Sequence, residues 1–169
     1  FAEHFDGPIA IRFARGVAFP EIKEDINLQY GKGQILKEGS KDGNNAGGNV
    51  AIIAVGSMVE ETYKAIDMLE KENVHPAFVN PVFIKPMDTE LIKRVAENHK
   101  HIIVVEEGIK KGGFGESVET FILESGIDAD VQVMAIDDRF VEQGNVALLR
   151  EEIGISYKNI YEKVMELTR

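Results

Sequence analysis

The chain has no cysteine among its 169 residues. That absence excludes a disulfide framework, a thiolate metal site and a cysteine nucleophile. It also has no run of about 18 apolar residues, the length a membrane-crossing helix needs. Basic residues are few against acidic ones, 19 Lys and Arg to 29 Asp and Glu, for a formal net charge of −10. A phosphate-backbone or anionic-membrane surface needs clustered cations, so neither a nucleic acid nor a membrane is an expected partner. Several catalytic signatures are missing as well. No serine sits in G-x-S-x-G, which removes support for a hydrolase triad. No histidine is spaced as in H-E-x-x-H, and His4, His75, His99 and His101 read as surface residues. No G-x-x-x-x-G-K-[ST] loop is present.

What is there is an ordinary globular balance, 44% hydrophobic and 28% charged. The N-terminus is neither basic nor signal-like, so the expected setting is the cytoplasm. The chain opens at Phe1 and runs into Gly7-Pro8 and then Ile9-Ala10-Ile11-Arg12-Phe13. That stretch predicts a short buried strand at residues 9–13, with no earlier element to pair with. The expectation is a chain cut from a longer polypeptide. Residues 17–31 read as a linker, residues 32–38 as an edge strand, and residues 39–49 as a polar, glycine-rich surface loop.

From Val50 the pattern is regular. Val50–Val55, Ala77–Val79, His101–Val105 and Val131–Ile136 are short apolar runs of the kind buried on both faces of a parallel sheet. Between them lie helical periodicities. One starts at Ser57, where Ser57 and Glu60 predict a capping box, and carries Val59, Tyr63, Ile66 and Leu69. A second is capped by Asp88 and carries Leu91, Ile92, Val95 and Ala96. A third opens at Gly112-Gly113-Phe114-Gly115. Two more, at roughly 144–153 and 157–167, are separated by Gly154 as a stop and Ser156 as the next cap. Strands alternating with helices predict a three-layer α/β domain, a mainly parallel sheet with helices on both faces.

Three features carry candidate chemistry. The glycine cluster at 112–115 follows a strand and precedes a helix, where free N–H groups and the dipole favour an anion. Its spacing is not that of a dinucleotide fingerprint, and a tight turn with close helix packing explains it as well. Glu106-Glu107 ends a buried strand, the edge at which open α/β sheets bind ligands. Acid–base or metal chemistry and a capping or interface pair both fit these two carboxylates. Arg12 lies in an otherwise apolar stretch, with Arg15 close behind. A planar, permanently charged fork suits a phosphate, and equally an ion pair with a carboxylate.

Taken together, several segments resemble one family. Gly7-Pro8-Ile9-Ala10-Ile11-Arg12-Phe13-Ala14-Arg15-Gly16 is similar to the G-P-x-A-I-R-Y-P-R-G that ends the pyrimidine-binding domain of 1-deoxy-D-xylulose-5-phosphate synthases. Phe83-Ile84-Lys85-Pro86-Met87-Asp88 resembles their R-F-[VI]-K-P-[LM]-D without its first residue. Glu106-Glu107 with Gly112-Gly113-x-Gly115 resembles E-E-x-x-x-x-G-G-x-G. Asp138-Arg139-Phe140-Val141-Glu142-Gln143-Gly144, with Leu148 and Gly154-Ile155 after it, resembles their closing segment.

The resemblance implies a fold like the transketolase C-terminal domain over residues 32–169, with residues 1–16 as the tail of a preceding pyrimidine-binding domain and 17–31 as the linker. It implies a thiamine-diphosphate- and Mg²⁺-dependent transferase joining pyruvate to D-glyceraldehyde 3-phosphate, a step toward isoprenoids and thiamine. The cofactor and catalytic glutamate belong to parts of the family outside this stretch, so no cofactor or catalytic residue is expected here. The implied roles for this stretch are packing against its own N-terminal and pyrimidine-binding domains, and homodimerisation. The implied site residues are Arg12 and, beside it, Arg15, on the substrate phosphate. Val82 stands where the family has a second phosphate-binding arginine; losing such a contact costs roughly 1.5–3 kcal/mol. Alternatives are another thiamine enzyme, a transketolase or the β subunit of a 2-oxo acid dehydrogenase, and a non-catalytic α/β dimerisation module. The 138–144 segment favours the first reading.

Overall fold

A computed structural model describes residues 1–14, 28–40 and 47–168. Five strands form one sheet: β1 (Gln34–Lys37), β2 (Val50–Ala54), β3 (Ala77–Asn80), β4 (His101–Ile109) and β5 (Asp130–Ile136). Five helices accompany them: α1 (Met58–Lys71), α2 (Thr89–Asn98), α3 (Phe114–Glu124), α4 (Val146–Ile153) and α5 (Tyr157–Leu167). The strand order is β1-β3-β2-β4-β5, parallel except for β1, which runs antiparallel to β3 along the edge. The expected α/β architecture and edge strand are both present.

The layering follows from chain direction. From β2 the chain crosses to β3 on one side, then returns past β2 to β4 on the other. Right-handed crossovers then require α1 and α2 to lie on opposite faces. The packing agrees. Because side chains alternate along a strand, Val50, Ile52 and Ala54 of β2 pack with Ile66 and Leu69 of α1 and with Ile160 and Val164 of α5. Ala51 and Ile53 pack on the other face with Leu91, Ile92 and Val95 of α2 and with Val118 and Ile122 of α3. All five residues of β2 are buried, as a central strand covered on both faces must be.

Two local expectations are corrected. Residues 9–13 form no strand; Ile11 is 64% and Phe13 84% exposed. Their apolar pattern suits a strand, but among the described strands β1, β3, β2, β4 and β5 already complete the sheet without them. Ser57 does begin α1, but its side chain makes no capping hydrogen bond. Its hydroxyl is engaged by Glu107 instead, at 2.6 Å. The other caps form as expected. Asp88 accepts from the Leu91 N–H at 3.1 Å, Gly154 takes a left-handed conformation at φ 90°, and Ser156 caps α5 in a capping box with Asn159.

Candidate functional site

The switch in direction after β2 opens a crevice at the C-terminal ends of β2 and β4, the usual ligand position in such sheets. Here the crevice is closed by charge. Glu107, near the end of β4, takes a bidentate pair from Arg150 of α4, with Nε to Oε1 at 3.0 Å and Nη2 to Oε2 at 2.9 Å. Ser57, just after β2, donates to the same carboxylate. Arg150 also lies 3.4 Å from Glu61 of α1. Glu61, buried, accepts the Tyr157 N–H at 2.9 Å and so satisfies the start of α5. One arginine thus ties the ends of β4, α1 and α4 together.

The electrostatics follow. Burial pushes the Glu107 carboxyl up and is the largest single influence. The hydrogen bonds from Arg150 and Ser57, with the charges of Arg150 and Arg12, together outweigh it and hold the group below its ordinary value. For Arg150 the hydrogen bond to Glu107 dominates over burial and raises the guanidinium. Both remain ionised at neutral pH.

Glu106, its neighbour, points elsewhere. It is 6% exposed and accepts the Phe114 N–H at 3.0 Å and the Gly115 N–H at 2.8 Å. The N-terminus of α3 is therefore filled by an internal carboxylate. The glycines are required by this close approach: a Cβ on Gly113 would meet Glu106 Oε1 at 2.5 Å, and one on Gly115 would strike Val133. Of the two readings of the glycine cluster, the tight turn is the one realised. The anion that α3 favours is already present.

Arg12 lies in the exposed segment 9–14, and its Nη2 donates to the carbonyl oxygen of Glu107 at 3.0 Å. Arg15 lies outside the described residues. Val82 sits just past β3 with φ 57°, a left-handed conformation that a β-branched residue rarely adopts. Its N–H is held by Asn80 Oδ1 at 3.0 Å. The next residue, Phe83, packs its ring edge-on against Phe1 and Tyr30. The histidines do not converge; His101 pairs with Asp130 at 3.2 Å, at the opposite end of the sheet. Among the described residues no group of three or more His, Asp or Glu is placed to hold a metal. Nor do these residues fit thiamine diphosphate, since the one glycine-rich helix start faces Glu106, whose charge repels a diphosphate. No described helix is long and apolar enough to cross a membrane.

Sequence reasoning found Arg12 and the Glu106-Glu107 pair. It missed Arg150, Glu61 and Ser57 as partners of Glu107. Arg150 lies 43 residues from Glu107 along the chain and belongs to no motif; an isolated arginine inside an amphipathic helix was its one signal.

Known proteins similar to this chain point to one family. A family model described as transketolase, C-terminal domain, matches residues 37–160. A 1-deoxy-D-xylulose-5-phosphate synthase from Alkaliphilus oremlandii is 37% identical over 97% of the chain, which is 25% of its own length. One from Heliobacterium modesticaldum is 35% identical over 98% of the chain, again 25% of its length. The chain thus spans about a quarter of the length of these curated relatives. Among solved structures, a "split gene transketolase, inactive beta4 tetramer" superposes with a TM-score of 0.74 at 28% identity, covering 87% of this chain and 46% of that one. A 2-oxoglutarate:ferredoxin oxidoreductase from Magnetococcus marinus shares the fold alone, with a TM-score of 0.53 at 17% identity over 83% of this chain and 20% of that one.

Proposed function

The chain belongs to the transketolase C-terminal domain family, and from that premise we propose that it serves a 1-deoxy-D-xylulose-5-phosphate synthase. The enzyme would condense pyruvate with D-glyceraldehyde 3-phosphate, releasing CO2 and forming 1-deoxy-D-xylulose 5-phosphate, in the cytoplasm. Identity of 35–37% over nearly the whole chain supports this reading. The reaction needs thiamine diphosphate and Mg²⁺, which the reading assigns to other parts of the enzyme. In this reading residues 1–16 are the tail of a pyrimidine-binding domain, 17–31 a linker and 32–169 the C-terminal domain, which packs on the N-terminal and pyrimidine-binding parts and contributes to a homodimer.

The observation that carries the substrate assignment is the state of Arg12. Among the described residues its guanidinium is engaged by one neutral carbonyl. A guanidinium has five N–H donors, so among the described residues most of the fork is left for an anion. The acceptor substrate has a phosphate to offer, whereas pyruvate does not. In this reading Arg12, with Arg15 beside it, anchors that phosphate and orients the aldehyde for bond formation.

The test is steady-state kinetics of Arg12→Ala in the full-length enzyme. Its kcat/KM for glyceraldehyde 3-phosphate is expected to fall roughly ten- to 150-fold, and that for pyruvate far less. Equal losses for both substrates would make Arg12 structural. A second reading, a transketolase-type enzyme using a different acceptor, is favoured by Val82 in place of the family arginine. Val82→Arg in the same assay separates the two: tighter glyceraldehyde 3-phosphate binding supports the synthase, and no effect supports another acceptor.

A further inference from the structure

Arg12 is held by the backbone of the residue whose side chain is its strongest competitor. Its Nη2 donates to the Glu107 carbonyl at 3.0 Å, and the Glu107 carboxylate is close enough for the Arg12 charge to act on it. A carboxylate binds a guanidinium more strongly than a neutral carbonyl does. Left free, Glu107 would swing onto Arg12 and take the fork that a phosphate needs. The structure shows why it does not. Both carboxylate oxygens are committed, Oε1 to Arg150 Nε at 3.0 Å, and Oε2 to Arg150 Nη2 at 2.9 Å and to the Ser57 hydroxyl at 2.6 Å. The Arg150 side chain is 16% exposed and is further fixed by Glu61, and Glu107 is 32% exposed, so the pair is screened less than one on the open surface.

We propose that Arg150 is a positioning residue for a phosphate-bearing substrate: by neutralising and holding the Glu107 carboxylate, it leaves Arg12 oriented by the Glu107 carbonyl and free to grip the phosphate. This rests on the reading of Arg12 as a phosphate anchor and adds to it a device that sets how available the anchor is. The division of labour is specific. The carbonyl fixes direction without adding charge, and the carboxylate is cancelled by a second arginine that never touches substrate. Nothing in the device acts on pyruvate.

The charge logic predicts effects of opposite sign, which a merely structural pair would not produce. In the full-length enzyme, Arg150→Met releases Glu107 and is expected to raise KM for glyceraldehyde 3-phosphate roughly five- to thirtyfold, with kcat and the pyruvate KM changing far less. Glu107→Gln keeps the carbonyl and removes the competing charge, so the acceptor KM is expected at or below the wild-type value. The Glu107→Gln/Arg150→Met double variant is expected to return the acceptor KM to within about threefold of wild type. Should Arg150→Met not fold, Glu107→Gln alone decides, because an acceptor KM raised as far as in Arg12→Ala overturns the proposal. An unchanged acceptor KM in Arg150→Met also overturns it, provided Arg12→Ala in the same assay loses acceptor binding. If Arg12→Ala loses nothing selective, the phosphate-anchor reading itself is what fails.

Discussion

Thr62 is fully buried in α1, and among the described residues its hydroxyl is the one buried side-chain atom without a hydrogen-bond partner. Burying a polar group unpaired costs about 1–3 kcal/mol. Valine has nearly the same shape and no such cost. Thr62→Val is therefore expected to stabilise the fold by about 1 kcal/mol, read as a higher midpoint in chemical denaturation with an unchanged slope. A destabilised variant would show that the hydroxyl has a partner after all. Residue by residue, the site was legible where chemistry is local. An arginine in an apolar stretch and two adjacent glutamates at a strand end stand out on their own. What joins them was not legible. Glu106 and Glu107 are neighbours in sequence but alternate across the strand, so one turns inward to α3 and the other outward to Arg150. Ser57 carries an N-cap signature in S-x-x-E, yet a bidentate-held carboxylate across the crevice outcompetes the backbone for its hydroxyl.

Among the elements, α3 is positioned by the tightest constraints. Gly115 faces Val133 of β5 so closely that no Cβ fits, and Glu106 Oε1 lies beside it. Gly115→Ala is expected to push α3 off the sheet and destabilise the domain by about 2–4 kcal/mol, as overpacking and a strained cap combine. Calorimetric melting of the variant checks this; a melting temperature within a degree of wild type would mean that α3 shifts freely. Helices and central strands could be read from sequence to within a few residues because their periodicity and caps are local signals. Residues 9–13 show the limit of that method. They are more apolar than β1, but a strand exists only where a partner offers its edge.

At the scale of the whole molecule, several large apolar side chains stay outside the core. Ile109 is 51% exposed at the end of β4, Phe140 is fully exposed in the loop after β5, and Leu148 is 68% exposed on α4. β5 itself is an edge strand with β4 on one side only among the described residues. Exposed apolar side chains and an open strand edge each favour association. Light scattering of the chain is expected to give a mass that rises with concentration, and Phe140→Asp to lower that mass without altering the melting temperature, since Phe140 contributes nothing to the core. A constant monomeric mass would count against association.

The two C-terminal helices differ in what holds them. Helix α5 buries Ile160 and Val164 against the sheet, whereas α4 buries none of its residues fully and is held by the half-buried Ile153 on the core and by the Arg150 ion pairs. The domain therefore has a graded interior clock. Dissolved in deuterium oxide, it is expected to exchange the backbone protons of α4 through local opening, well before those of α5, although the two are consecutive and separated by a single turn. Mass-resolved exchange over minutes to hours reads the difference directly, and equal protection in both helices would mean that a half-buried Ile153 and one arginine fasten a helix as firmly as a fully buried face does.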